Sequence, residues 1–282
     1  MSGRGPPPTS CGAYAPAKAL APRAAPFRFS TVMFVGTDRT PVAALTASAR
    51  ELWEHLAGTA ARFAPAISVA VSPRSYLCPP GWAGVVVLGD AILATAPDHE
   101  AARHVEQSLS GLPTASLADS EVLSSRLRVA EILGPAALAY LDSAEFRPQP
   151  GGAVITPLGL DDPRFRQFIL AADTYEVAES GIEEITTPAF AVRERGQVVA
   201  AAGYRDWPYG TAHLSVLTAT AARGRRLARA AASAAVAHAI EEGRLPQWRA
   251  RLPASRRVAG ALGFRELGFQ VSIRLERGGS AQ

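Results

Sequence analysis

Apolar and polar residues follow two alternating patterns along the first part of the chain. Over residues 40–56 apolar side chains recur every three or four positions behind a threonine and a proline, which predicts a helix. Short apolar runs and further helical repeats then predict strands at 68–71, 84–88 and 92–95 and helices at 98–109 and 119–129. This order predicts an α/β unit with a core of its own.

A second series of elements begins after residues 148–152, Pro-Gln-Pro-Gly-Gly, which offer no apolar side chain to anchor them. The elements predicted beyond this linker are strand 153–158, helix 161–172, strands 189–193, 197–204 and 211–217, helix 224–242, strand 247–251, helix 254–262 and strand 269–275. We therefore predict two domains, at residues 27–147 and 151–277.

Residues 1–26 combine many prolines with glycine, alanine and serine. Such a segment buries too little apolar surface to offset its ordering entropy, so we expect a disordered tail. It carries basic but no acidic residues, as transit peptides do, and it lacks the apolar stretch of a secretory signal.

Composition narrows the class of protein. The 282 residues are 48% hydrophobic and 19% charged, which is typical of a soluble globular protein, and no apolar run approaches the roughly 20 residues of a membrane span. The net charge of +4 equals the four basic residues that precede Asp38, the first acidic one, so the remaining chain is neutral and no nucleic-acid partner is expected. Cys11 and Cys78 form no disulfide framework or metal spacing, which favours a cytoplasmic protein without a metal.

The clearest candidate for chemistry lies between a predicted strand and the long helix. Residues 218–228 read Thr-Ala-Thr-Ala-Ala-Arg-Gly-Arg-Arg-Leu-Ala. The first amides of a helix and its dipole bind anions, and Arg223, Arg225 and Arg226 add charge that suits a phosphate. The alternative is a solvated basic helix start without a ligand.

This segment resembles the phosphate loop of the GNAT superfamily of N-acetyltransferases, Arg/Gln-x-x-Gly-x-Gly/Ala. Arg223 and Ala228 match its ends, and Arg226 stands at its central glycine. Residues 255–264, Ser-Arg-Arg-Val-Ala-Gly-Ala-Leu-Gly-Phe, resemble the late helix of the same family, and the element order from 153 to 276 follows its pattern. The resemblance implies an α/β fold with a mixed, mostly antiparallel central sheet flanked by helices, and we expect the first half to be a degenerate second copy.

The resemblance also implies acetyl-CoA as cosubstrate. Its pantetheine arm would pair with backbone of the fourth strand of this half, its phosphates would rest on amides at the start of the long helix, and a serine of the late helix would touch it. The residues so assigned are Val216, Leu217, Thr218, Arg223, Gly224, Arg225, Arg226, Leu227, Ala228, Arg229 and Ser255. Ala259 stands where the family often has a tyrosine, so no general acid is assigned.

Acetyl transfer to an amine needs a base that takes a proton from the amine and a donor that polarises the thioester carbonyl. The candidate bases are His213, Glu183 and Glu184, and Asp206 is a further candidate. Each has a purely structural alternative: His213 as a core or surface histidine, the glutamates as a solvated pair and Asp206 as a turn residue.

The expected function is acetyl-CoA-dependent N-acetyl transfer to the primary amine of a small molecule or peptide, by direct attack in a ternary complex. We expect a monomer or homodimer without a membrane partner. Two alternatives stay open. Arg226 and Ala259 are compatible with a non-catalytic acyl-CoA-binding or scaffold protein, and an aminoacyl-tRNA-dependent transferase would keep the fold but require a more basic surface.

Overall fold

The computed structural model describes residues 41–149 and 152–276, so the predicted tail at 1–26 lies outside the described residues. The described strands are β1 (Val69–Val71), β2 (Ala83–Leu88), β3 (Ala91–Ala96), β4 (Val129–Tyr140), β5 (Ile155–Leu158), β6 (Ala189–Glu194), β7 (Gln197–Trp207), β8 (Thr211–Thr218), β9 (Leu245–Ala250) and β10 (Arg265–Leu275). The described α-helices are α1 (Pro41–Leu56), α2 (His99–Leu109), α3 (Ser120–Arg126), α4 (Pro163–Ala171), α5 (Thr174–Ser180), α6 (Leu227–Glu241) and α7 (Pro253–Ala261).

The ten strands form one sheet in the order β1-β3-β2-β10-β4-β9-β8-β7-β6-β5. Neighbouring strands run antiparallel except for two pairs, β1 with β3 and β8 with β9. Helices cover both faces. The expected fold class, a mixed and mostly antiparallel sheet flanked by helices, is therefore confirmed.

Strands from the two predicted domains alternate in the middle of the sheet. β10 lies between β2 and β4, and β4 in turn lies between β10 and β9. The expectation of two complete halves is thus only partly met, because both halves share a single sheet. The boundary at residues 148–152 stays a prediction, and Pro150 and Gly151 lie outside the described residues.

Two elements were not predicted. β4 contains Gly134 and Pro135, which interrupt its apolar pattern, and a Cβ atom on Gly134 would lie 2.8 Å from the Gln270 carbonyl oxygen. The predicted helix at 119–129 ends at Arg126, just before this strand. α5 is a seven-residue helix of mixed composition, too short for a periodic signal.

The two faces of the sheet carry different helices. The alanine-rich helix α6 packs over β6, β7 and β8 on the face that also holds α2, α3 and α7. The opposite face is covered by α1 at one side and by α4 and α5 at the other. Strand residues alternate between these faces, so β8 and β9 present one set of side chains to α6 and the other to the α1, α4 and α5 face.

Candidate functional site

The parallel strands β8 and β9 separate soon after they meet. They pair only at Thr211 with Leu245, Ala212 with Pro246 and His213 with Gln247. β8 then continues to Thr218 and β9 to Ala250 without pairing to each other. The gap is a V-shaped notch, and the β8 backbone along it is free to bond an extended ligand as a further strand would.

The segment after β8 leads to the start of α6 at the open end of the notch. Gly224 has a φ of +78° and Arg226 a φ of +61°, both in the left-handed region. Arg226 therefore adopts a left-handed backbone conformation, which glycine reaches most readily, at the position where the phosphate-loop pattern has its central glycine.

The first amides of α6 receive no side-chain cap, because its N-cap residue is Arg226. Four other described helices, α2 to α5, are capped by aspartates: Asp98, Asp119, Asp162 and Asp173. An aspartate cap would both occupy the amides and repel an anion. The start of α6 instead keeps its amides open beside several arginines, which suits a phosphate group.

Two of these arginines are held by carboxylates. Arg223 Nη2 lies 2.5 Å from Glu176 Oε1 of α5, and Arg225 donates to both oxygens of Glu194, with Nη1 2.9 Å from Oε2. Arg226 is exposed and forms no ion pair within the described ranges. Arg229 donates to the Ala261 carbonyl at 2.9 Å and so joins α6 to α7.

The remaining predicted cofactor residues lie along the notch and the helix start. Val216 and Thr218 are half-buried, and the Thr218 hydroxyl is buried with no hydrogen-bond partner in the described part of the chain. Leu217 and Leu227 bury their side chains in the core, so only their backbone can contact a ligand. Ala228 is half-buried in the first turn of α6, and on α7 the Ser255 hydroxyl accepts a hydrogen bond from Trp248 Nε1 of β9 at 2.9 Å.

His213 lies at the vertex of the notch and is only 6% exposed. Its ring stacks on Trp207 with 4.1 Å between centroids, and its Nδ1 hydrogen-bonds Gln247 Oε1. Burial, together with the charges of Arg249 and Arg205, lowers the pKa of His213 to about 3. The ring is therefore neutral at neutral pH and a weak proton acceptor, so its role as a base stays a prediction that this environment disfavours.

The two predicted glutamates are in different surroundings. Glu183 is exposed, whereas Glu184 is half-buried and accepts a hydrogen bond from Arg205 Nη1 at 3.0 Å. Burial raises the pKa of Glu184 above its usual value despite the nearby Arg205 and Arg249. Asp206 is exposed, and its Oδ1 lies 3.5 Å from Arg244 Nη2. The structure thus distinguishes Glu184, half-buried and paired with Arg205, from the exposed Glu183.

Sequence reasoning missed a charged cluster on the α1, α4 and α5 face beside the notch. Arg249 and Arg251 follow Gln247 at every second position, so all three point to this face, and Glu179 of α5 accepts a hydrogen bond from Arg251 Nε at 3.0 Å. The alternation of polar and apolar residues over 247–251 was the available signal. This alternation predicts that one face of the strand is polar, although a central strand of the predicted fold is expected to be apolar on both faces.

The described residues contain neither a metal-binding cluster nor a membrane-spanning helix. Residues 41–149 and 152–276 contain no group of three or more histidine, cysteine, aspartate or glutamate side chains arranged to hold a metal ion. Within the same ranges no helix is long and apolar enough to cross a membrane.

Comparison with known proteins agrees with the geometry of this region. Residues 187–268 match the family model described as GNAT acetyltransferase, a segment that includes the notch, the start of α6 and all of α7. No curated protein matches the chain.

Several solved structures are similar. A GNAT-family structure from Novosphingobium aromaticivorans shares 23% identity over 52% of this chain, with a TM-score of 0.42, and 65% of its own length is covered, just under two thirds. A GCN5-related N-acetyltransferase from Kribbella flavida shares 17% identity over 70% of this chain and 91% of its own, with a TM-score of 0.45. The protein yncA from Salmonella typhimurium, solved with its cofactor acetyl-CoA, shares 18% identity over 47% of this chain and 99% of its own, with a TM-score of 0.32. Over residues 187–268 the chain is thus similar to the GNAT acetyltransferases, which confirms the resemblance inferred from the phosphate loop and the late helix.

Proposed function

We propose that the protein is an acetyl-CoA-dependent acetyltransferase that acts on the primary amine of a small molecule or a peptide. One observation carries the proposal: within the segment that matches the GNAT family, β8 and β9 separate into a notch whose open end faces an uncapped helix start. An open strand edge and open helix amides are the two backbone features that a long, phosphorylated thioester requires.

The residues around the notch fit acetyl-CoA in their chemistry. The amides at the start of α6 and the side chains of Arg223, Arg225 and Arg226 suit the phosphates. Over residues 216–218 the side of β8 that faces β9 is unpaired and suits the amide-containing pantetheine arm, and the Thr218 hydroxyl, which has no hydrogen-bond partner among the described residues, offers a further hydrogen bond. Ser255 flanks the β9 wall through its contact with Trp248.

When bound, acetyl-CoA would supply the acetyl group as a thioester: the amine nitrogen bonds to the acetyl carbon, the carbon–sulfur bond breaks, and one amine proton passes to the departing thiolate, which leaves as the thiol of CoA. The chain has to hold the amine, remove the proton of its ammonium form and polarise the thioester carbonyl. Unpaired β8 amides can donate to that carbonyl. Of the predicted bases we assign proton acceptance to Glu184, because its raised pKa brings it closer to neutral pH than a solvated glutamate.

The test is thiol release from acetyl-CoA by the purified full chain with a panel of primary amines, beside thermal unfolding in a concentration series of acetyl-CoA. Binding to the native state raises the unfolding temperature as ligand increases. Arg223→Gln should weaken this stabilisation, while Arg274→Gln, whose arginine pairs with Glu131 away from the notch, should not. The absence of any stabilisation up to millimolar acetyl-CoA would overturn the proposal.

One observation favours a second candidate, a protein that binds acyl-CoA without turning it over. Ala259, at the position of the tyrosine of many relatives, is 3% exposed and packs in the core. No phenol stands there to protonate a thiolate. This candidate predicts stabilisation by acetyl-CoA with no thiol release for any amine, which the same two measurements separate from catalysis.

A further inference from the structure

The α1, α4 and α5 face of the sheet is polar at its centre. Several polar side chains on it are buried although the strands that carry them are interior, among them His213, Ser215, Gln247, Gln270 and Ser272. Burial of polar groups is unfavourable unless they are bonded, and an apolar residue would serve packing better at each position. Several of these groups bond one another or the backbone, so the middle of this sheet face holds a connected polar network rather than an apolar core.

A cleft lies over this polar area. Its walls come from β4, β9 and β10, from the segment around Tyr76 and Cys78 in the first half, and from Glu179 of α5. The charged residues that line it are Arg249, Arg251 and Glu179, a formal charge of two positive and one negative, hence +1. Both halves of the chain are needed to form these walls.

The cleft adjoins the notch. Arg249 and Arg251 follow Gln247, the last β9 residue that pairs with β8, so they stand on or just beyond the separated part of β9. Glu179 belongs to α5, which packs against β8, and its ion pair with Arg251 joins the two sides of the notch on this face. A ligand in the cleft would lie next to whatever the notch holds.

The arginines are fixed in place. Arg249 Nη1 donates to Gln270 Oε1 at 3.2 Å, and the Gln270 amide donates in turn to the Leu77 carbonyl of the first half. This chain of contacts orients the guanidinium between the halves. Its positive charge acts on its surroundings, because Arg249 and Arg205 both help to keep the neighbouring His213 neutral.

We propose that this cleft binds the acceptor, and that the acceptor is an amine that also carries a carboxylate, such as an amino acid. Arg249 would bind the carboxylate, and Glu179 would attract the ammonium group. An excess of positive charge on the walls repels a simple alkylammonium ion, whereas the carboxylate of an amino carboxylate adds an attraction to Arg249 that offsets this repulsion. The inference rests on the proposed function, since it names the second substrate of the same reaction.

The experiment compares acceptors that differ only by the carboxylate. L-lysine is paired with 1,5-diaminopentane, L-leucine with 3-methylbutylamine and 4-aminobutyrate with propylamine, and kcat/KM is measured by thiol release from acetyl-CoA with the full chain. At least one carboxylated amine should exceed its partner by about tenfold or more, as expected for a charge-assisted contact. Arg249→Gln should remove this preference without changing acetyl-CoA affinity, and Arg249→Lys should restore part of it.

Arg274→Gln is the matched control, because this arginine also lies on an interior strand of the sheet but pairs with Glu131 outside the cleft. Circular dichroism and unfolding temperature establish that each variant is folded. The inference is overturned if bare amines react as well as their carboxylated partners, if Arg249→Gln lowers both equally, or if acetyl-CoA binds and no carboxylated amine reacts or stabilises the complex with CoA. Failure of acetyl-CoA itself to bind would instead refute the proposed function.

Discussion

Arg226 stands at the central glycine position of the phosphate-loop pattern and has a left-handed backbone. Its φ of +61° and ψ of +15° place it in the left-handed region, where a residue with a Cβ is strained by about 1 kcal/mol. The side chain is exposed at the entrance to α6. The strained backbone thus places a positive charge beside the free amides at the start of α6.

Replacing Arg226 by glycine should relieve that strain. We expect Arg226→Gly to raise the free energy of unfolding by about 0.5–1 kcal/mol, measured by urea denaturation. Arg226→Ala is the control: it removes the same charge but keeps the Cβ atom, so its stability should stay within about 0.5 kcal/mol of the parent. Equal stabilities of the glycine and alanine variants would contradict a left-handed backbone at this residue.

His213 should make stability depend on pH. Its native pKa of about 3 lies below the unfolded value of about 6.5, so between these two values the unfolded chain binds a proton that the native protein does not. The resulting loss of stability begins as pH falls through about 6.5 and amounts to about 2 kcal/mol between pH 7 and pH 5. His213→Gln should flatten this part of the stability curve.

The same group can be followed by nuclear magnetic resonance. The imidazole signals of His213 should not titrate between pH 8 and pH 5. A midpoint above pH 6 assigned to His213 would contradict its burial against Trp207 and Gln247, and would return it to the list of candidate bases.

Helix α5 joins the two sides of the notch. Glu176 and Glu179, three positions apart on the helix, bind Arg223 beyond β8 and Arg251 beyond β9. An anion that binds at the start of α6 has to share Arg223 with Glu176. A ligand bound at the start of α6 would therefore weaken the ion pair between Arg223 and α5.

Removing the carboxylate of Glu176 should strengthen cofactor binding. We expect Glu176→Gln to tighten acetyl-CoA about two- to fivefold at low salt, because a partly exposed ion pair contributes at most about 1 kcal/mol. The gain should shrink as salt increases. Calorimetric titration measures it, with Glu131→Gln, the partner of Arg274, as the matched control. Weaker binding by Glu176→Gln would show that the glutamate positions Arg223 rather than competing for it.

Most elements of the second half could be predicted because their signals are local. Gly196, Gly210, Gly243 and Gly263 end strands and helices at left-handed turns, and the apolar periods between them are regular. β4 could not be predicted in the same way. Its place between β9 and β10 depends on pairing with residues more than 100 positions away, which no local pattern records.

For the site, the loop at 218–228 was recognisable because its residues are adjacent in sequence, and the matching family segment covers it. The cleft was not, because Tyr76, Glu179, Arg249 and Gln270 come together only through the sheet. The missed carboxylate Glu179 lies on α5, the short helix that also went unpredicted. Errors in the fold and in the site therefore have a common cause.

At the scale of the whole molecule, the central sheet is built from alternating strands of the two halves. β10 has β2 and β4 as its neighbours, and both precede the predicted boundary, while β9 has β4 on one side. The second half alone would leave both edges of β10 unpaired and bury no cleft.

Expression of residues 148–282 alone should accordingly give no native monomer. We expect aggregation or an expanded state, seen by size-exclusion chromatography and circular dichroism, and recovery of the native sheet when residues 1–147 are co-expressed. A monomeric fragment with a cooperative unfolding transition would contradict the shared sheet and would favour two independent domains.

The most direct test of acetyl-CoA dependence is calorimetric titration of acetyl-CoA into the full chain, beside the Arg226→Gly variant and at two salt concentrations. The geometry of the notch and of the α6 start predicts one site in the parent, weaker at high salt, and weaker but measurable binding by the variant, which lacks the Arg226 charge beside the helix amides. Absence of binding in both proteins, or binding by the variant alone, would mean that the parent loop holds no acetyl-CoA and would contradict the proposed function.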